Sequence, residues 1–234
     1  MKKTQKFPDL RAFQAMAPMF FLAVPIGITY GFMYSQYYDA WLAPFTSIIV
    51  FAGASQFFGL ELAKSNASYT EFALAAFFIN IRHIFYGLSV INRYKVMKWY
   101  QKIPAIFLLT DEVWGILTTT APKADKKQDI RYILSVGLIF YFYWVLGTTI
   151  GAYSGQFFKG INTQGLEFVG IGLFIVLAVE QIRARPKAFS PCLGLLSALI
   201  SALIFGAQNL ILPAMIIIFL GLTLRAIYME NRQI

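Results

Sequence analysis

YILSVGLIFYFYWVLGTTIGAYSGQFF, residues 132–158, contains no charged side chain. The hydrocarbon core of a bilayer takes about 20 apolar residues of helix, so this run is long enough to span one. Inside a bilayer a helix satisfies every backbone N–H and C=O within its own segment, whereas a barrel needs short strands of alternating polarity. The run is continuous and rich in Leu, Ile and Phe, and it reads as a transmembrane helix. Gly147, Gly151 and Gly155 recur at every fourth position. That spacing puts small residues on one face, where another helix can approach closely.

The rest of the chain repeats the pattern. Residues 12–38 and 40–60 are charge-free, the former interrupted by Pro18, Pro25, Gly27 and Gly31. Residues 72–92 are apolar around Arg82 and His83, and 103–122 around Asp111 and Glu112. A short run, 168–182, ends on Glu180 and Gln181, and 188–224 is free of charge. The last is too long for one span and predicts a hairpin turning near Gly206 to Asn209. The expectation is an all-α, polytopic transmembrane bundle of seven to eight hydrophobic segments, with interrupted helices. Of the 234 residues, 58% are hydrophobic and 13% charged, roughly half the charged share of a soluble domain. Such a chain cannot coat a water-facing surface, which excludes a disordered chain, a collagen, a disulfide scaffold and, in practice, a soluble enzyme. Cys192 is the single cysteine and forms no internal disulfide. The net charge of +9 resides at the ends of apolar runs. It matches attraction to lipid headgroups rather than to nucleic acid.

The N-terminus carries Lys2, Lys3, Lys6 and Arg11, and the apolar run that follows exceeds the 7–15 residues of a signal peptide. It reads as a retained first span with a cytoplasmic N-terminus. Lys and Arg then favour one side throughout, except in 93–102, where Arg93, Lys95, Lys98 and Lys102 fall outside if every segment crosses. That stretch moves inside if the second and fourth segments, both interrupted by polar residues, are broken or re-entrant. Val24–Gly31 (VPIGITYG) resembles Val145–Gly151 (VLGTTIG). This echo suggests a single transmembrane domain, residues 1–234, with pseudo-repeat halves 12–122 and 132–228. Secondary transporters are often built this way, with binding at interrupted helices. Trp41, Trp99, Trp114 and Trp144 are assigned in part to interface belts.

Polar groups inside a membrane cost about 2.5–3.5 kcal/mol when charged and mark function or specific pairing. Gly53, Ser55 and Gln56 form one cluster. Gly53 and Gln56 share a helical face, and the Gln56 amide offers both donor and acceptor to an amino acid. Tight helix packing around Gln56 is the alternative. Asn80 and His83 share a face, while Arg82 is suited to hold a carboxylate bidentately or to pair with Asp111 or Glu112. His83 is the single histidine and a candidate proton relay; a hydrogen-bonded interior residue is the alternative. Asp111 and Glu112 point about 100° apart on a helix, so they take different partners. Desolvation favours the neutral form of a carboxyl, which makes them candidate proton carriers; ordinary helix caps near an interface are the alternative. Glu180 and Gln181 are either functional or snorkelling to the interface. Pro25 with Gly27 is a candidate hinge that unwinds the first span, with a simple kink as the equal alternative. There is no HExxH, no Walker A sequence and no GxGxxG after a strand. No catalytic, metal or cofactor site is assigned.

The run FAGASQF at 51–57, then NIRHIFYGLS at 80–89 and TDE at 110–112, resembles the AzlC family. PIGITYG at 25–31, the W-x-x-x-T-T-x-G pattern at 144–151 and VEQ at 179–181 follow its layout. The resemblance implies the large subunit of a two-component exporter of branched-chain amino acids in a prokaryotic plasma membrane. It further implies a small hydrophobic AzlD-type partner and an ion gradient, of protons, as the energy source. The family's motif residues map to Gly53, Gln56, Asn80, Arg82, His83, Asp111 and Glu112. Transport of another small organic solute, and an intramembrane enzyme, are the competing readings.

Overall fold

The computed structural model describes residues 8–65, 67–120, 125–158, 189–206 and 211–230, with positions 172, 175 and 179. The described residues form helices and no strand. The chain divides into two compact units. One comprises Met1–Leu60 and Ile79–Gly170, the other Glu61–Phe78 and Ile171–Ile234.

The first unit is organised by two long helices, α1 (Leu10–Ser35) and α8 (Lys126–Phe157). Asp9 caps α1, its carboxylate accepting from Arg11 N at 3.0 Å. The Asp9 N–H donates to Ser135 Oγ at 3.0 Å, which pins the start of α1 beside the start of α8. Small residues decide how closely the pair packs. A Cβ added at Gly31 would fall on the Thr148 backbone, and one at Gly151 on the Ile28 carbonyl. Gly147 meets Val24 and Gly155 meets Ser35 in the same way. The predicted glycine face of 147, 151 and 155 is therefore the seam, and the two similar stretches 25–31 and 145–151 face one another across it. Helix α1 is continuous through Pro18 and Pro25. The expected unwinding at Pro25 and Gly27 does not occur, because Gly27 lies flush against the backbone of Trp144 to Thr148 and α8 splints the helix.

The second apolar run is broken into α2 (Leu42–Ile49) and α3 (Gly53–Lys64). At the break Phe51 has φ 43°, a left-handed conformation that costs a non-glycine residue roughly 1–2 kcal/mol. Its buried ring contacts Tyr141 at 4.9 Å and Phe107 at 5.9 Å, which holds it there. Chain direction follows from contacts along α8. Gln36 Nε2 donates to Gly155 O at 3.1 Å, Ser47 Oγ to Thr148 Oγ1 at 3.0 Å, and Tyr141 OH to Ile48 O at 3.2 Å. So α2 descends from the C-terminal end of α8 to its middle. After the break Gly53 meets the Trp144 ring and Phe57 reaches the Tyr30 ring, at 5.4 Å. Thus α3 climbs back the way α2 came.

The third run comprises α4 (Tyr69–Asn80) and α5 (Arg82–Tyr94), separated by a turn at Ile81. The fourth is again a broken hairpin, α6 (Trp99–Phe107) and α7 (Asp111–Thr119). At the end of α5, Arg93 makes a paired salt bridge with Asp129 in the first turn of α8. Nη2 to Oδ1 is 2.6 Å and Nε to Oδ2 is 3.0 Å. From there α6 runs inward until Leu108 meets Gly137 and the Phe107 ring lies 6.1 Å from Tyr141. Helix α7 then returns, and Arg93 Nη1 donates to Leu117 O at 2.7 Å and to Thr120 O at 3.1 Å. Both hairpins enter and leave at one end, from opposite ends of α8, and their tips meet at Tyr141. The stretches 93–102 and 125–131 therefore lie at the same end as residue 9, which removes the charge misfit of the sequence.

Among the described residues three helical stretches are long and apolar enough to cross a membrane: Leu10–Ser35, Tyr69–Tyr94 and Lys126–Phe157. The expectation of seven to eight is corrected in part by the hairpins, since two apolar runs turn back halfway. In the second unit α9 (Phe189–Phe205) packs on α10 (Ile211–Glu230), with Leu193 against Gly221. Gly206, at φ 80°, begins the predicted turn. Residues 207–210, most of 168–182, and Glu180 and Gln181 lie outside the described residues.

Candidate functional site

The first unit joins three of the four polar clusters. Asn80, last residue of α4, donates from Nδ2 to Ser55 Oγ on α3 at 2.7 Å. Two residues on, Arg82 opens α5 and its Nη2 lies 2.8 Å from Asp111 Oδ2, at the start of α7. The chain breaks make this convergence possible, since each of these residues sits at or near the end of a short helix. Arg82 and Asp111 are about three-quarters buried, and Arg82 Nε and Asp111 Oδ1 are buried without a hydrogen-bond partner. A charge pair in such surroundings with one donor and one acceptor unmet is incompletely satisfied.

Thr110 caps α7, its hydroxyl accepting from Val113 N at 3.4 Å. Asp111 and Glu112 thus occupy the first turn, where the helix dipole favours negative charge. His83 Nδ1 lies 3.1 Å from Asn80 O. A carbonyl only accepts, so this bond puts a proton on Nδ1. The His83 ring packs edge-on to Tyr86 at 5.4 Å, and Tyr86 stacks on Trp114 at 4.6 Å. Trp114 Nε1 in turn donates to Ser89 Oγ at 2.7 Å. One wall of the site is therefore aromatic and rigid.

Gln56 is turned the other way. Its Nε2 donates to Ser47 Oγ at 2.9 Å and to Thr46 Oγ1 at 3.5 Å, and its Oε1 accepts from Trp144 Nε1 at 2.9 Å. Ser47 Oγ donates to Thr148 Oγ1, and Thr148 Oγ1 donates to Trp144 O at 2.8 Å. Both amide hydrogens and the carbonyl are engaged within the protein. Gly53 lies under the Trp144 ring, where a Cβ would collide with it. Ser55 is the residue of this cluster that reaches the Asn80 side.

Sequence reasoning missed Trp144, which is 6% exposed and a core residue rather than part of an interface belt. The signal was present in its helical spacing with Thr148 and Gly151. It also missed the Arg93–Asp129 pair, because Arg93 reads as one of the loop charges of 93–102 and Asp129 lies in no apolar run. Among the described residues no group of three or more His, Cys, Asp or Glu could hold a metal ion.

The family model described as AzlC protein matches residues 18–158. The chain is 31% identical to the branched-chain amino acid transport protein AzlC of Bacillus subtilis, over 100% of this chain and 91% of that protein. It is 33% identical to an uncharacterized membrane protein of Helicobacter pylori, over 85% and 86% of the two chains. Against the inner membrane protein YgaZ of Escherichia coli it is 27% identical over 59% and 58%. No solved structure matches. The matched residues 18–158 contain the broken helices and the Arg82–Asp111 pair, and the chain belongs to the AzlC family of helical membrane proteins.

Proposed function

We propose that this chain is the large subunit of a secondary active exporter of leucine, isoleucine and valine. It works with a small hydrophobic AzlD-type subunit and is driven by protons. The observation that carries this reading is the Arg82–Asp111 pair at the junction of two short helices, with Arg82 Nε and Asp111 Oδ1 unpartnered. A substrate carboxylate competes with Asp111 for the guanidinium, which takes carboxylates bidentately. Asp111, released from the guanidinium, carries the coupled proton. His83 Nε2 relays it, and Glu112 lies one position further along the same turn. Asn80 and Ser55 orient the substrate's amino end, while Gln56 and Gly53 hold α3 against α8 so that Ser55 is in place. The aliphatic tail is accepted through apolar burial, worth about 0.8 kcal/mol per CH₂.

Broken hairpins approaching from opposite ends support alternating access, because each tip can move without unseating α1 from α8. The facing stretches 25–31 and 145–151 support a reading of the chain as two pseudo-repeat halves. Orientation follows from charge. With 93–102 and 125–131 at the end where α1 begins, most of the basic residues around the first unit collect there, and we assign that end to the cytoplasm.

The test is efflux of leucine, isoleucine and valine from dipeptide-loaded cells, with and without the small subunit, including Asp111→Asn. Faster efflux that needs both subunits and is lost in the variant supports the reading. Unchanged efflux of all three, with both proteins in the membrane, moves it to another small organic solute.

A further inference from the structure

A groove of about 360 Å³ runs between α5 and α6, lined by His83, Gly87, Ile91, Lys102, Ile106 and Leu109 and, at its outer end, by Lys95. From His83 to Lys95 along α5 is about 18 Å at the helical rise of 1.5 Å per residue. One leaflet of hydrocarbon is about 15 Å deep. The groove is apolar along this length and basic at its mouth. Among the described residues neither Lys95 nor Lys102 is paired with a carboxylate. Between them in sequence Trp99 and Tyr100 are exposed, at 74% and 53%. Exposed aromatics of this kind mark the headgroup level. The flanking Ile84, Ile91 and Ile106 are exposed as well, so the groove is open along its side.

We propose that this groove binds one anionic phospholipid. The phosphate headgroup sits between Lys95 and Lys102, and an acyl chain lies along Ile91, Gly87 and Ile106 to end beside His83. Three features select this occupant: two cations at headgroup height, a length matched to one leaflet, and no acidic lining residue to receive an ammonium. The bound chain touches α6 of the second hairpin and the residue next to Arg82, so lipid occupancy bears on the movement of that hairpin.

The test is native mass spectrometry of the whole chain released from vesicles of equimolar phosphatidylglycerol and phosphatidylcholine. Two lysines at about fivefold each predict retention of phosphatidylglycerol over phosphatidylcholine by about twenty-fivefold. The double variant Lys95→Gln, Lys102→Gln should erase that preference. Gly87→Leu fills the groove without changing charge, and its Cβ would meet nothing within 4 Å; thermal unfolding checks that the variant is folded. It should lower phosphatidylglycerol retention severalfold. Equal retention of the two lipids by the unaltered chain overturns the proposal. So does a preference that survives both variants, or cross-linking of the small subunit at Ile91→Cys with loss of bound lipid.

Discussion

Trp144 donates its indole N–H to the Gln56 side-chain carbonyl at 2.9 Å, and this bond fastens the first broken hairpin to the middle of α8. The residue that the motif offers as a substrate ligand is thereby a structural hub. Gln56→Ala leaves Trp144 Nε1 without its partner, a cost of about 1–3 kcal/mol. We expect a lower melting temperature in detergent, with any rise in KM accompanied by that loss of stability. A raised KM at wild-type stability would place the amide on the substrate instead.

Arg82 and Asp111 should behave as a unit. Removing one partner of a fully buried pair costs about 3–5 kcal/mol, and these side chains keep some solvent contact, so we expect about 2 kcal/mol for Arg82→Ala or Asp111→Ala. The double variant should be more stable than either single one, and all three should fail to transport. Additive losses in thermal unfolding would show that the two charges do not depend on each other.

The α1–α8 seam admits no side chain. Gly151→Leu drives a side chain into the Ile28 carbonyl, and overpacking of this kind costs about 1–3 kcal/mol or more. We expect loss of folded protein on size-exclusion chromatography. Gly115→Leu, at a glycine with nothing within 4 Å, serves as the tolerated control.

The course of the second hairpin has a direct test. In a Cys192→Ser background, Lys98→Cys and Lys127→Cys should label from the same side of the membrane, and Asp39→Cys from the other. Labelling of positions 98 and 127 from opposite sides would mean that α6 and α7 cross. Within the same region Asp129→Ala strips the nearly buried Arg93 of its counter-charge. It should destabilise by about 3–5 kcal/mol, read as a shift in thermal unfolding.

Much of this was legible in the residues. The run 132–158 is long, apolar and uncharged, and only a helix fits those facts in a bilayer. Its glycine spacing marked the packing face. The surplus of Lys and Arg in 93–102 already pointed to broken second and fourth segments. The choice of Asp111 or Glu112 as partner of Arg82 was narrowed by spacing but not made, because adjacent helical residues point to different neighbours. The direction of the Gln56 amide was not legible at all. A glutamine on a small-residue face suits a ligand or a helix contact equally well, and the bond to Trp144 exists only in three dimensions.

By itself the sequence determined the helical membrane class, the second and fourth segments as candidates for broken helices, and the polar residues that must find partners. These depend on local properties: hydrophobic length, backbone hydrogen bonding and the cost of charge in lipid. Only the tertiary structure decided that the broken segments turn back, that their tips meet at Tyr141, and that Arg82 pairs with Asp111 while Gln56 serves Trp144. Those outcomes depend on contacts between residues far apart in the chain. The close approach of two helices sets them, and no local pattern encodes the distance at which that approach stops.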